Sequence, residues 1–266
     1  MEQKVWTHFQ NVRAKSPLVH NITNYVVMNT TANALLAVGA SPVMAHSVEE
    51  VEDMVKIANA LVINIGTLSP RWVDAMKLAV REANRNNKPV VFDPVGAGAT
   101  AFRNKTIRDL LETGKFSVIR ANASELMAME SSENRTKGVD STNTFEQAYS
   151  SAKYLSGKYS NVVCMSGKAD IVISGKLRVK IHNGHEMMSR VTGLGCTATA
   201  IIGAFIGTVE DIFEATVSAM AIMGVAGELA AKISAGPGSL QLNLLDKLYN
   251  MTEQEFLQTV KLENNA

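Results

Sequence analysis

Along most of the chain, short apolar runs alternate with stretches whose apolar residues return at every third or fourth position. Ala60-Leu61-Val62-Ile63-Asn64-Ile65-Gly66 is apolar on both faces, as a central parallel strand must be. Ser69-Pro70 then supplies a cap and a first-turn proline for a helix whose buried stripe is Val73, Met76, Val80 and Ala83. Upstream, Ser41-Pro42-Val43-Met44 reads as a short strand. Ser47 and Glu50 form a capping box for a helix burying Val51, Met54, Val55 and Ala58. The alternation continues with a strand at Val90-Val91-Phe92-Asp93-Pro94, a helix from Arg103 to Glu112 and a strand at Ser117-Val118-Ile119-Arg120. A short helix from Ala123 to Glu130, a longer one from Phe145 to Lys158 and the strand Val162-Val163-Cys164-Met165 follow. Ile171-Val172-Ile173 and Arg178-Val179-Lys180-Ile181, separated by a turn containing Gly175, predict an antiparallel hairpin. From Gly193 onward the pattern is nearly all helical.

Alternating strands and helices predict an α/β fold with a mostly parallel central sheet covered on both faces. No linker, charge tract or repeat divides the sequence, so residues 1–266 read as a single domain. Ligands of such sheets bind beyond the carboxyl ends of the strands, which directs attention to residues that follow them.

Charge narrows the partners. The 26 basic and 25 acidic residues leave a net charge of +1 with no block of one sign. Neither nucleic acid nor an anionic membrane is an expected partner, and an anionic ligand needs a local site. The N-terminus lacks the apolar core of a secretory signal. The segment Ala215 to Ala231 is apolar enough to raise the question of a membrane span. Glu228 and a content of Ala, Gly and Met favour a packed core helix instead. Two cysteines without metal-ligand spacing suit a reducing, cytoplasmic compartment.

The strongest local chemistry is Val191-Thr192-Gly193-Leu194-Gly195-Cys196-Thr197-Ala198, two glycines before a long helix of small residues. Glycine lets backbone approach a ligand, and the first helical N–H groups are unpaired and partly positive, which makes a phosphate or oxyanion site. A plain glycine turn opening a buried helix competes with this. So does a dinucleotide fingerprint, although no strand and ribose-binding acid follow it. Cys196 falls in the first helical turn, where the dipole lowers a thiol pKa; it reads as a base, a nucleophile or a small buried hydrophobe. Cys164 lies in a core strand and reads as packing. Asp93-Pro94-Val95-Gly96-Ala97-Gly98 follows a strand and suits a metal, a phosphate or a turn cap. Asn122 and Glu125 suit a capping box as readily as a ligand site. No Walker A motif or kinase Gly-rich loop is present.

Together these segments resemble the hydroxyethylthiazole kinase family, a branch of the ribokinase-like fold. The likeness covers nearly the whole chain. It runs through Pro17-Leu18-Val19-His20-Asn21-Ile22-Thr23-Asn24, Gly39 to Met44, Asn64 to Leu68, Asp93 to Thr100, Arg120 to Glu125, His182 to His185, Thr192 to Cys196 and Gly236 to Ser239. The resemblance implies ATP-dependent phosphorylation of 4-methyl-5-(2-hydroxyethyl)thiazole in thiamine biosynthesis or salvage, with Mg²⁺. It implies an anion hole at Gly193 and Gly195, and Cys196 where most ribokinase-like kinases carry an aspartate base. It places Arg120, Ser166 and Asn122 on ATP; Met44, Gly193 and Asn24 on the thiazole; and Glu125 and Asp93 at the metal. It further implies a homotrimer with sites between subunits. Leu194 and Ser166 depart from the usual small residue and threonine. A dehydratase of damaged nicotinamide cofactors or a hydroxymethylpyrimidine or pyridoxal kinase would keep an aspartate at Cys196 and lack the N-terminal segment. A sensor without turnover would have no need of Glu125 and the glycine pair.

Overall fold

In the computed structural model, which describes residues 1–133 and 144–265, α1 (Glu2–Lys15) leads into β1 (Leu18–Ile22), α2 (Met28–Val38) and β2 (Ser41–Val43). The expected alternation then follows as α3 (Val51–Ile57), β3 (Ala60–Asn64), α4 (Pro70–Arg85), β4 (Val90–Asp93), α5 (Ala101–Thr113) and β5 (Val118–Asn122). Next come α6 (Ala123–Glu133), α7 (Thr144–Tyr159), β6 (Val162–Ser166) and the hairpin of β7 (Asp170–Ser174) and β8 (Leu177–Ile181). A short 3-10 turn precedes α8 (Leu194–Ile206), α9 (Ile212–Lys232), α10 (Pro237–Asn250), α11 (Glu253–Thr259) and β9 (Leu262–Asn265).

The strands form one nine-stranded sheet in the order β2-β1-β3-β4-β5-β6-β7-β8-β9. The pairs from β2 through β6 are parallel, and β6 to β9 pair antiparallel. From β1 the chain steps outward to β2 and returns on the other side as β3, so the strand order reverses between β1 and β3. Ligand crevices of open α/β sheets lie at such a reversal.

Alternate strand residues feed two cores. Val62, Val91 and Val118 pack with α1, α2, α8, α9 and α10, whereas Leu61, Ile63, Phe92 and Ile119 pack with α3 to α7. Local sequence explains much of this. Ser69 Oγ accepts the Trp72 N–H, Pro70 sits in the first turn, and Val73, Met76, Val80 and Ala83 are buried as the spacing predicts. Such a cap contributes about 1 kcal/mol. Helix α9 has the length and hydropathy of a membrane span, yet 78% of its apolar window is buried against protein. It packs on α8, α10, α1 and the sheet.

Two readings change. The box expected at Ser47 and Glu50 does not form: α3 starts at Val51 without a side-chain cap, and the Ser47 hydroxyl turns to the Glu49 carboxylate instead. The chain also does not end in helices alone, because β9 pairs with β8. Glu263 of β9 takes Lys180 and His182 as partners.

Candidate active site

Helix α8 runs back along the sheet. Thr199 in its second turn reaches Asp93 at the end of β4, and Gly203 further on lies against Val19 and Val62. The first turn of α8 therefore stands over the carboxyl ends of the central strands. Gly193 enters the helix with φ 81°, a conformation glycine adopts without strain. A Cβ there would lie 2.3 Å from Val27 Cγ1. Whereas α4, α5 and α9 are capped by Ser69, Thr100 and Asp211, no side chain caps α8. Its first N–H groups face the crevice with their partial positive charge unspent.

Arg120 on β5 adds a full charge. Its Nη1 lies where a Cβ on Gly195 would come within 2.7 Å, so the absence of a side chain at Gly195 lets the guanidinium stand directly under the helix start. Among the described residues this guanidinium has no hydrogen-bond or ion-pair partner, and Nε is buried without one. Burial pulls its pKa down, but Asp93, Cys164, Asp170 and Glu125 together hold it above the ordinary value. Helix N–H groups and an unpartnered guanidinium converging on one crevice make an anion site.

A buried hydrogen-bond chain supports the crevice from below. Asp93 Oδ2 accepts from Thr199 Oγ1 at 2.7 Å and from Asn64 Nδ2 at 2.9 Å. Because Asp93 is an acceptor, the Asn64 amide must point its NH₂ there and its oxygen away. Asn64 Oδ1 accordingly accepts from Gly66 N–H and from Asn24 Nδ2, both at 2.9 Å. The second hydrogen of Asn24 Nδ2 is directed to Cys196 Sγ at 3.5 Å. The sequence marks Asn64 and Thr199 as site residues only through a polar residue ending the apolar run of β3 and the helical spacing of Thr199 from Cys196.

Electrostatics shift both titratable members upward. Burial raises Asp93 to about 6 despite the opposing influence of Arg120. Burial, and then the Asp93 charge, push the Cys196 thiol above its ordinary value, only partly offset by hydrogen bonds from Asn64 and Asn24. This reverses the expectation of a lowered thiol pKa. Desolvation of the thiol outweighs the help from the helix start. Cys164 is pushed higher still by burial and is inert packing.

One strand along, Asn122 and Glu125 form a reciprocal cap at the start of α6. Asn122 Oδ1 accepts the Glu125 N–H, and Glu125 Oε2 accepts the Asn122 N–H, each at 2.9 Å. Glu125 Oε1 also accepts from Gly96 N–H at 2.9 Å, tying the glycine turn after β4 to α6. Ser166 ends β6 in register with Asn122. Met44 lies apart, just past β2 at the sheet edge; His20 Nε2 meets the Ala45 carbonyl at 2.8 Å and holds that segment beside β1.

Among the described residues no group of three His, Cys, Asp or Glu side chains is placed to cage a metal. Asp93 is 1% exposed and bonded, and both Glu125 oxygens receive backbone N–H groups. This donor set does not build a protein cage for Mg²⁺. It fits an ion that keeps its waters and is held mainly by substrate phosphates. A separate cavity of about 230 Å³ between the starts of α1 and α9 contains His8, Ser218 and Glu214 and takes no part in the crevice.

Residues 9–254 match the sequence profile of the hydroxyethylthiazole kinase family. A hydroxyethylthiazole kinase of Syntrophus aciditrophicus is 53% identical over 261 residues, covering 98% of this chain and 97% of the relative. One of Leptospira biflexa is 52% identical over 255 residues, covering 96% and 94%. The solved hydroxyethylthiazole kinase of Pyrococcus horikoshii superposes with a TM-score of 0.92 at 40% identity, covering 99% of this chain and all of that one. A Staphylococcus aureus pyridoxal kinase with AMP-PCP and pyridoxal shares the fold, with a TM-score of 0.65 at 17% identity over 94% of this chain and 98% of that one.

Proposed function

The chain belongs to the hydroxyethylthiazole kinase family, and from that premise we propose how its crevice moves the γ-phosphoryl group of ATP onto the hydroxyl of 4-methyl-5-(2-hydroxyethyl)thiazole, a step of thiamine biosynthesis or salvage. The observation that carries the reading is the uncapped start of α8 facing the buried Arg120 guanidinium, whose Nε has no hydrogen-bond partner.

Phosphoryl transfer asks chiefly for alignment and for stabilisation of charge on the transferred group. The N–H groups of Gly195 and Cys196 and the Arg120 guanidinium supply that charge in a site shielded from water. Arg120, Asn122 and Ser166, at the ends of β5 and β6, hold the nucleotide. Asn24 and Gly193 line the acceptor side near the β1/β3 reversal, where Met44 of a neighbouring copy joins them. The acceptor hydroxyl then approaches the γ-phosphorus beside Cys196 Sγ. As the oxygen–phosphorus bond forms, the bond to ADP breaks and the hydroxyl proton passes to the thiolate form of Cys196. The raised thiol pKa keeps the thiolate fraction of Cys196 small at neutral pH, which suits a loose transition state needing little activation of the nucleophile. Glu125 and Asn122 would hold a Mg²⁺ ion carried by the nucleotide phosphates, which would neutralise charge there, and Asp93 contributes by fixing Asn64 and Thr199.

Residues 1–266 act as one kinase domain in the cytoplasm, and three copies assemble with Met44 completing a neighbour's site. Sedimentation that found a fully active monomer would remove the shared site. A coupled ADP-release assay with the thiazole alcohol, hydroxymethylpyrimidine and pyridoxal as rival acceptors tests the reaction: the thiazole alcohol should be turned over in preference. Preference for either rival would overturn the assignment.

A further inference from the structure

Arg103 stands in the first turn of α5, and its guanidinium spans two loops of the crevice. Nη1 donates to the carbonyls of Ile65 and Val95, and Nη2 donates to that of Gly66, all within 2.8 Å. Ile65 and Gly66 follow β3, whereas Val95 follows β4. One planar cation therefore ties the two loops together, with charge-assisted bonds throughout. The helix itself does not need that guanidinium. Thr100 Oγ1 caps α5 by accepting the Arg103 N–H, and Thr106, Ile107 and Leu110 bury its inner face.

Each carbonyl on Nη1 belongs to a peptide plane whose other end is bonded to a side chain of the site. The plane joining Ile65 and Gly66 points its N–H at Asn64 Oδ1, at 2.9 Å. The plane joining Val95 and Gly96 points its N–H at Glu125 Oε1, also at 2.9 Å. Because a peptide unit is rigid, one nitrogen of Arg103 fixes the amide bonded to Asn64 relative to the amide bonded to Glu125. Close packing carries the link onward. A Cβ on Gly66 would come within 2.6 Å of Asn24 Nδ2, the group directed at Cys196 Sγ. On the other side the Arg103 stem crosses Gly96, 3.3 Å from where a Cβ would stand. A lysine could not replace this clip, since its compact ammonium lacks donors set in a fixed plane.

We infer that Arg103 is a positioning residue for phosphoryl transfer, setting the separation between the side of the crevice that ends at Cys196 and the side that ends at Glu125. It acts through the backbone amides that hold Asn64 and Glu125. The inference rests on the kinase reading proposed above. Transfer depends on alignment, and a misplacement of about 1 Å costs about 10²-fold in rate.

Arg103→Ala tests this, because α5 keeps its cap and its buried face. Its kcat with the thiazole alcohol should fall about 10- to 100-fold, while KM for ATP and for the alcohol stays within about threefold. Arg103→Lys should recover little of the loss. Arg103 is half-buried, so free guanidinium can reach the place its side chain leaves. At about 20 mM, far below denaturing concentrations, guanidinium should restore kcat several-fold, and methylammonium at the same concentration should not. Hydrogen exchange gives a readout that needs no turnover: peptides covering 64–68 and 93–98 should exchange faster in Arg103→Ala, with α9 unchanged. Wild-type kcat in the folded alanine variant, or a loss that guanidinium does not relieve, would overturn the inference and leave the kinase assignment standing. A wild type that fails to phosphorylate the alcohol would remove the reaction instead. Faster exchange confined to the two turns would then still retain the clip, and unchanged exchange there would remove it too.

Discussion

Asn24 and Cys196, 172 positions apart in sequence, meet at the head of α8, where Asn24 Nδ2 points at Cys196 Sγ from 3.5 Å. The other Asn24 amide hydrogen goes to Asn64, and Asn64 in turn is oriented by Asp93. The thiol is thus presented by a chain of side chains from the loop after β1 and from β3 and β4.

Cys196 should be alkylated slowly by iodoacetamide at neutral pH, with a midpoint above the ordinary thiol value of about 8.5, because burial and Asp93 both oppose the thiolate. Cys196→Ala should lose about 10²-fold in kcat, the lower end of general-base assistance, and keep its affinity for ATP. Cys196→Asp should retain activity or improve it, since a carboxylate has a reference pKa of about 3.9 and also suits a helix start. A dead aspartate variant beside a covalent Cys196 adduct in the wild type would favour a nucleophile over a base.

The two glycines at α8 should separate stability from activity. Alanine at Gly193 meets Val27 at 2.3 Å with φ 81° and should cost about 1–3 kcal/mol in a denaturant melt. Alanine at Gly195 meets only the far end of the Arg120 side chain, which can swing aside. That variant should melt like the wild type and lose about 10²-fold or more in kcat.

Asp93 titrates near 6 in the folded chain against a reference of 3.8. Between those values the native state holds more protons than the unfolded chain, so its contribution to stability falls as pH rises through that window. Asp170, also raised to about 6 by burial, acts in the same direction. Melting temperatures measured from pH 4 to 7 should therefore depend less steeply on pH in Asp93→Asn than in the wild type. Equal slopes would mean that Asp93 is not held near 6.

Glu125→Gln replaces one carboxylate oxygen with an NH₂ facing a backbone N–H. It should lower stability by about 1–2 kcal/mol through the lost cap. The Mg²⁺ concentration for half-maximal rate should rise several-fold as well. A stability loss with unchanged Mg²⁺ dependence would reduce Glu125 to a cap.

Local pattern made the central strands and α4 legible, because burial on both faces of β3 and the Ser69-Pro70 start are properties of contiguous residues. It also showed Gly193 to Cys196 as a helix opening. Helix α3 starts later than the Ser-Glu spacing predicts because the Ser47 hydroxyl bonds to Glu49, a choice set by local geometry. Strand β9, Leu-Glu-Asn-Asn, carries no alternation and is ordered by pairing with β8. The chain from Asn24 through Asn64 and Asp93 to Thr199 joins partners 40, 29 and 106 positions apart, so only the folded sheet reveals it. The upward shift of the Cys196 thiol was hidden for the same reason: a helix start is readable in sequence, whereas the burial that overrides it belongs to the assembled crevice.

The most direct measurement is mass-resolved product analysis of the wild type incubated with ATP, Mg²⁺ and the thiazole alcohol. The crevice should yield ADP and the thiazole phosphate ester in equal amounts, with both lost together on EDTA treatment and in Gly195→Ala. ADP formed without the ester, or ester formation undiminished in Gly195→Ala, would contradict phosphoryl transfer at the start of α8.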